Sequence, residues 1–462
     1  MKRTVVILHM MSWASCIGSD ALVSEPMALL VTHPIENCFN NLDDDRDATV
    51  DEGCSAFDVP AAVTAYASGE TEARLFLNVG KAVAIDGVGV VHETWLKVTH
   101  VIDPGNIAAI RGIVMYRRSL DNGVHFSAEQ ALTIDSDFTG YPKIAAFGNM
   151  VYITFHAIYG PGGTPPQPYL IRSTNNGQGF LAIQKLSTAP AAMPTIAAFG
   201  PFVHVVWAAG SPSFAEIFIA SSLDSGAHFN PPQQISSSDN RSSWTPAVAA
   251  WGPRVIVAWT DERHNTVDCQ GSSDPGTQCR EELYAAVSID AGQHFGGEQR
   301  LTNDGATPHS TWAPSLAMWM DRVHVAYFDR QDDQHFQVYY LRSTTGGTTW
   351  EPTRQLSPPF GPTSDVIHNA RPSVGVFEDK VHITYWQTHQ TGVADVVYTA
   401  SPNHGDCFSQ PITLSRGTAP GEPHPSIAVS PNGWSFLLWY ASIAGRNQLF
   451  ATRRRPVVPI CD

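Results

Sequence analysis

The stretch Ser119-Leu120-Asp121-Asn122-Gly123-Val124-His125-Phe126 decides how this chain is read, because the same phrase returns five more times in register. The returns begin at Ser173, Ser222, Ser288, Ser343 and Ser401 and close on Phe180, Phe229, Phe295, Trp350 and Phe408. A serine, a short polar residue two places on, a glycine and a final aromatic describe a tight hairpin. The polar side chain accepts turn amides and the glycine supplies a positive φ. The third residue is Asp in three copies, Asn in two and Thr in one. An acceptor persists while charge does not, which marks a turn and not a catalytic carboxylate.

Strand signals surround each phrase. A unit of the type Pro-x-Ile-Ala-Ala-x-Gly recurs at Pro142, Pro194, Pro246, Pro314, Pro372 and Pro425. Each is followed by an alternating aromatic and β-branched run such as Val203-His-Val-Val-Trp207. A third strand leads into the phrase and a fourth leaves it, ending in Leu-Ser or Leu-Thr as at Leu186-Ser187 and Leu301-Thr302. Lys81–Gly87 and Val90–Trp95 add a first unit whose phrase is the one at Ser119. These signals predict an all-β fold, a seven-bladed β-propeller with six blades as the alternative. The chain has only Gln448–Thr452 as a further strand after Trp439, so closure needs a strand from the N-terminal side. Thr71–Val79 is expected to supply it, leaving no open sheet edge.

The repeated phrase resembles the Asp-box, or BNR repeat, of the sialidase-like β-propellers, and six matches cover about two-thirds of the chain. The resemblance implies a propeller with its boxes remote from the active site. In sialidases three arginines hold the substrate carboxylate, a Tyr activated by Glu is the nucleophile and an Asp assists as acid. Sialidases have six blades, and no Arg-Ile-Pro motif stands near the start of the repeats here, so their chemistry does not carry over residue by residue.

With 462 residues, 43% hydrophobic and 15% charged, the chain can bury a large core. The net charge of -15 argues against nucleic acid or an anionic membrane surface as partner, since both reward a basic face. Met1-Lys2-Arg3 followed by an apolar stretch to Ala14 reads as an export signal, too short for a membrane span. Ala14-Ser15-Cys16 fits the end of a lipoprotein signal, in which a lipid on Cys16 gives membrane attachment. The expected organisation is therefore a signal at 1–16, a tether at 17–70 and the propeller at 71–462. The localisation expected is secreted or cell-envelope. Seven cysteines become six if Cys16 is removed or modified. Proximity favours Cys38 with Cys54, Cys269 with Cys279, and Cys407 with Cys461, among many pairings six cysteines allow.

Within the tether, Cys38 and Cys54 bracket carboxylates at alternate positions, which suit one hard cation, calcium best. The segment resembles both a Cys-bracketed acidic metal-binding motif of bacterial surface proteins and the first part of an EF-hand-type loop. The loop resemblance implies Asp43, Asp45, Asp47, Thr49 through its carbonyl, and Asp51 as ligands. Ala48 stands where the loop turn takes Gly and Cys54 where it takes Glu, and a solvated acidic linker closed by a disulfide is the competing reading.

In a propeller the loops entering the innermost strands and those between strands two and three share one mouth, opposite the boxes. Tyr141, Trp244, Trp312, Arg371 and His424 precede or adjoin the inner strands, and Asp261-Glu262-Arg263-His264, Asp329-Arg330, Gln387-His389 and Tyr440 follow the second strands. Blade one adds Glu93, Lys97 and Arg111. Guanidinium forks bind a carboxylate and aromatic faces stack on a sugar ring, so this set suits an anionic glycan. Arg263, Arg330 and Arg371, with Trp244, Trp312, Tyr141 and His424, are the candidate substrate-binding residues. Asp261, Glu262, Asp329 and Tyr440 are the candidate acids, bases or nucleophile. The repeated Asp-Glu-Arg and Asp-Arg ends read equally as blade-to-blade ion pairs. His204, His324 and His382 recur at one strand position and read as packing residues, as do His125, His228 and His294. Two functions follow. One is a sialidase-like propeller acting on or binding acidic glycans. The other is a non-catalytic surface propeller that serves as a scaffold for a glycan or a cell-surface protein.

Overall fold

The computed structural model describes residues 36–37, 56–64, 72–75, 81–101, 110–134, 138–158, 165–211, 214–265, 280–303, 309–330, 335–360, 364–415, 423–443 and 446–456. Seven antiparallel sheets follow one another along the chain as the blades of a propeller. The inner strands of blades two to seven are Phe138–Phe147, Ala191–Phe199, Ser243–Trp251, Trp312–Trp319, Val366–Phe377 and Ser426–Val429. In blade one the inner strand is split between Glu72–Arg74 and Val83–Ile85, both paired with Val91–Val101. Second strands are buried along nearly their whole length, and the period-two alternation sends one side chain to each neighbouring blade. Trp95, Trp207, Trp259 and Trp439, at one position in four second strands, are fully buried in the wedges between blades.

The ring closes from the N-terminal side as expected, but with a different stretch. Ala61–Ala62 pairs with Ala451 and Phe450 of the last strand, Arg446–Arg454. Asp58 N donates to Arg453 O at 3.0 Å and Val63 N to Leu449 O at 2.7 Å, extending the ladder on both sides. The stretch from Thr71 supplies Glu72–Arg74 to blade one instead, and Leu75 is buried in the wedge between blades one and seven. An outer strand is held through its backbone, so Ala-Ala needs no side-chain pattern to fill that place. Glu36–Asn37 lies outside it, parallel to Ile412–Thr413 of blade six.

All six box turns share one geometry. The serine hydroxyl donates to the polar residue two places on, at 2.7 to 2.9 Å where that residue is Asp or Asn. The glycine N–H donates back to the serine oxygen at 2.8 or 2.9 Å. Thr345 does the same work with a hydroxyl, accepting Thr349 N at 2.9 Å. At Gly177 and Gly405 φ is 73° and 85°, and a Cβ would collide with the hydroxyl of Tyr116 or Tyr340 on the preceding blade. The glycines thus allow both the turn and the close approach of blades. The closing aromatics cross the same boundary: Phe180 packs on Tyr116 and Phe408 on Tyr340.

His204, His324 and His382 are buried, with Nδ1 at 2.6 to 2.9 Å from the hydroxyl of Ser221, Tyr340 or Tyr398. His125, His228 and His294 differ from the packing role expected of them. They are exposed and pair with the box carboxylates Asp121, Asp224 and Asp290 at 2.6 to 2.7 Å. Beside the box turns, the ends of five inner strands carry Phe147, Phe199, Trp251, Trp319 and Phe377, whose successive ring centroids lie 4.6 to 4.8 Å apart. This aromatic arc joins blades two to six on the box side of the channel.

Candidate functional site

The opposite mouth is shaped by one repeated distortion. In blades three to seven the residue before the inner-strand proline has a left-handed backbone: Met193, Thr245, Ala313, Arg371 and His424, with φ from 43° to 54°. Non-glycine residues rarely enter this region, and a following proline further disfavours departure from extended backbone. In blades three to six the strand pairing shifts register at this point, as in a β-bulge. Bulges re-aim side chains, and strained backbone concentrates where function demands it. The side chains so presented differ from blade to blade, from Ala313 to Arg371, whereas the residue after the proline stays small in blades three to seven: Thr195, Ala247, Ser315, Ser373 and Ser426. Those at Ser315, Ser373 and Ser426 accept the N–H of Val374, Ile427 and Ala82 of the next blade. In blade two this position is Lys143, and in blade one Lys81 stands one residue earlier, in the place of the proline; burial pushes both lysines down to about 7.

Blade four brings Asp261 and Arg263 together and saturates them. Asp261 is buried and accepts from Trp259 Nε1 at 2.9 Å, Ser243 Oγ at 3.1 Å, Arg263 N at 3.0 Å and the Arg263 guanidinium at 2.6 and 2.7 Å. Arg263 also meets Glu298 and, at 3.5 Å, Asp239, and lies 4.0 Å over the Tyr284 ring. Burial draws its pKa down, but hydrogen bonds to Asp261 and Glu298 more than reverse this and hold it raised. Glu216 joins the cluster from blade three; burial pushes it up to about 7, with Asp239 and Asp261 adding repulsion. Glu262 is buried beside this clamp.

Between blades five and six the pattern inverts. Arg330 is only 5% exposed, yet among the described residues no carboxylate pairs with its guanidinium, and its Nε has no hydrogen-bond partner. Its guanidinium lies 5.6 Å from the Phe336 ring. Arg371, half-buried one blade on, lies 5.4 Å from the Phe328 ring, and Phe328 meets Phe336 edge-on at 5.2 Å. The two arginines therefore flank one aromatic cluster. His368 and His335 complete it: His368 Nδ1 accepts Phe336 N at 3.2 Å, and His335 sits 5.0 Å from Phe360 and 6.2 Å from His368. Asp329 is buried and accepts Arg330 N at 2.6 Å.

In blade seven His424 stacks on Tyr440, with centroids 5.7 Å apart. Trp244 and Trp312 are half-buried at matching positions of blades four and five, and Trp312 Nε1 donates to Glu281. Only the backbone of Tyr141 is described, in the inner strand of blade two. Glu93, also near the mouth, is buried against Arg117, which in turn donates to Val63 O of the closing strand at 2.7 Å. Asp43, Asp45, Asp47, Thr49 and Asp51 lie outside the described residues, as do Cys38, Cys54, Cys269, Cys279 and Cys461. Sequence reading missed Phe336, His335, His368 and Phe360. Their signal is faint, since His335 and Phe336 lie just before the third strand, Gln337–Ser343, and His368 stands three residues before the strained Arg371.

Solved structures similar to the chain include two polysaccharide lyases. A polysaccharide lyase of family PL25, an ulvan lyase, aligns with a TM-score of 0.52 at 12% identity over 82% of this chain and 93% of its own. Polysaccharide lyase Uly1 aligns at 0.51 and 10% identity over 86% of this chain and 95% of its own. No family model and no curated protein matches. The likeness fixes the class as a seven-bladed β-propeller.

Proposed function

We propose that this propeller binds and acts on an acidic glycan at the mouth facing away from the box turns. The observation that carries the reading is Arg330, a buried guanidinium without an acid partner among the described residues, sharing an aromatic cluster with Arg371. A buried cation without a counter-charge is costly, and an arriving carboxylate or sulfate supplies one. Both similar structures named above being polysaccharide lyases adds support.

Hydrolysis of the sialidase type needs available carboxylates, and Asp261 is consumed by five hydrogen bonds. Elimination from a uronate makes other demands. A cation neutralises the carboxylate, a base removes the α-proton, and the electron pair forms a double bond as the glycosidic oxygen leaves with a proton. Arg330 and Arg371 fit the first role, and the His424–Tyr440 pair, one blade beyond Arg371, fits proton removal and return. The test is incubation with uronate-containing polysaccharides, followed by the ultraviolet absorbance of the unsaturated product, beside a fluorogenic sialoside and a glycan array. Product formation lost in Arg371→Ala supports elimination, and sialoside cleavage replaces it with hydrolysis. Binding that needs Arg330 but gives no product supports the scaffold reading, which the saturated Asp261–Arg263 clamp favours. No response in any arm overturns the glycan reading.

Calcium at Asp43–Asp51 and export with a lipid on Cys16 belong to the same proposal. A calcium titration followed by calorimetry tests the first, and the mass of the mature N-terminal peptide tests the second.

A further inference from the structure

One group on the mouth-facing side of blade six has no part in the chemistry above. His389 ends the second strand of that blade, Lys380–His389, and is clasped from two sides. Its Nε2 lies 2.8 Å from Asp395 on the third strand, and its Nδ1 lies 3.2 Å from Asp365, which precedes the inner strand. Asp395 is 5% exposed and Asp365 74%, so the imidazole joins a fixed acid to a surface one. The backbone repeats the link: Gln390 N donates to Asp365 O at 2.7 Å, and Val366 pairs in register with His389.

What is pinned here is the start of Val366–Phe377, the inner strand that carries His368, Asn369 and Arg371. Two register shifts interrupt this strand, at Val366/His368 and at Ala370/Ser373, so its mouth end is weakly held by the sheet ladder. Side chains compensate. Gln387 donates to Asn369 Oδ1 at 3.0 Å, and Asn369 donates to Gln337 Oε1 of blade five at 3.0 Å. Asn369 N donates to Phe336 O at 2.8 Å. The amide relay holds the middle of the irregular segment, and the histidine clasp holds its beginning.

We infer that His389 is a positioning residue: as an imidazolium bridging Asp365 and Asp395 it fixes the strand that presents His368 and Arg371, so that the mouth is ordered on the acid side and loosens toward alkaline pH. The role of that strand in glycan binding rests on the function proposed above; the latch itself does not. Among the described residues, the titratable groups facing His389 are Asp395 and Asp365, both acids. The Asp395 hydrogen bond is the main cause of a raised pKa, opposed by burial and reinforced by both negative charges. A His whose folded pKa exceeds its unfolded value contributes order that is complete below the unfolded value. That contribution is lost as pH rises through the folded one.

The test reads the protein without ligand first. Amide hydrogen exchange, corrected for intrinsic rates, is measured across residues 364–371 from mildly acid to mildly alkaline pH. In the wild type protection of this segment falls as pH rises, in step with the titration of the His389 ring followed by NMR. In His389→Gln protection is low at every pH, by about tenfold relative to the acid wild type, the worth of a charge-assisted hydrogen bond. Asp365→Asn, a surface change, lowers the ring pKa and moves the protection curve to more acid pH, and it serves if the glutamine variant fails to fold. Protection that does not follow pH, or a pH dependence that survives in His389→Gln, overturns the inference. In a second arm, binding of a uronate polysaccharide by the wild type weakens over the same pH interval and loses that dependence in His389→Gln. An intact latch with no polysaccharide binding at any pH counts against the glycan reading alone.

Discussion

Blades four and five end their second strands in nearly the same way, Asp261-Glu262-Arg263 and Asp329-Arg330, and use their arginines oppositely. Arg263 folds back onto its own Asp261 and takes Glu298 and Asp239 as well, so its charge is spent within the protein. Arg330, one residue nearer its aspartate, reaches Asp329 through its own backbone N–H, and its guanidinium goes to an aromatic face. The one-residue difference in spacing decides the outcome, because a side chain two positions on can curl back to chelate a carboxylate and an adjacent one points to the other side of an extended chain. A motif repeated between blades is thus scaffold in one and, on the function proposed above, the ligand contact in the next.

The largest effect expected from this contrast is at Asp261. Asp261→Ala removes the two-pronged acceptor of Arg263, which keeps Glu298 and Asp239, and leaves the buried Trp259 N–H without its acceptor, and should cost about 3 kcal/mol in denaturant unfolding. Arg330→Met should change stability by less than about 1 kcal/mol, or raise it, because removing a buried charge with no acid partner among the described residues relieves a penalty. The same variant should lower affinity for an acidic polysaccharide about tenfold or more. If both arginine sites respond alike in stability, the division into clamp and receptor is wrong.

The box face provides a control, with a smaller expected effect. Gly405→Ala places a methyl group against the Tyr340 hydroxyl at a φ of 85°, and should cost about 2 kcal/mol through strain and displaced packing. Affinity at the mouth should hold, since the turn lies at the opposite end of the blade. A parallel loss of both would mean that the two faces are coupled through the wedges.

A pH measurement sharpens the contrast further. Glu216 in the clamp has its pKa pushed up to about 7 by burial, against an ordinary value of 4.5. The folded protein therefore holds a proton there that the unfolded chain releases, and the Glu216 contribution to stability should fall as pH rises from about 4.5 to 7. Buried His156, His204, His324 and His382, held below the ordinary imidazole value by burial, contribute in the opposite direction. Discounted for partial solvent screening, the Glu216 loss is about 1 to 2 kcal/mol, and Glu216→Gln should remove it. Urea midpoints of wild type and Glu216→Gln on the two sides of that interval check the sign, because the comparison cancels the buried histidines. A wild-type advantage over Glu216→Gln that grows across the interval would show that Glu216 is ionised in the fold.

The blades were legible in the sequence because two strict periods coincide there, strand alternation and the box phrase, and both are set by backbone geometry that every copy must obey. The closing strand was not, because Ala61–Ala62 is recognised by its hydrogen bonds and carries no pattern, while Thr71–Val79 alternates persuasively and its Glu72–Arg74 is used next door. The mouth was legible in part. Arg330 and Arg371 were readable as rim arginines, but their meeting depends on Phe328 in the second strand and Phe336 just ahead of the third, which meet only in three dimensions. Arg263 read as their equal because spacing to a carboxylate in three dimensions has no signature in one. The strained residues before the prolines were visible as the most variable position of a constant unit, and only the φ values explain why variation gathers there.

The smallest expected effect bears on the box itself. Asp290 Oδ1 accepts His294 N at 2.9 Å and the Ser288 hydroxyl at 2.8 Å. Asn175 Oδ1 does the same in the second box, accepting Gly179 N at 2.9 Å and the Ser173 hydroxyl at 2.8 Å. An amide oxygen therefore meets both demands of the turn. What Asp290→Asn removes is only the contact with His294 Nδ1, between side chains 38% and 86% exposed. Solvent and salt screen such a pair, so stability at neutral pH should change by no more than about 0.5 kcal/mol. Those turn hydrogen bonds hold the carboxyl below the usual range, so whatever its charge contributes is present above that range and fades as pH falls through the lowered value. Unfolding midpoints for the variant should accordingly match the wild type most closely in acid. A loss well above this size at neutral pH would mean that the charge of the box, and not its acceptor, holds the blade edge, and that the Thr345 copy is sustained by its neighbours.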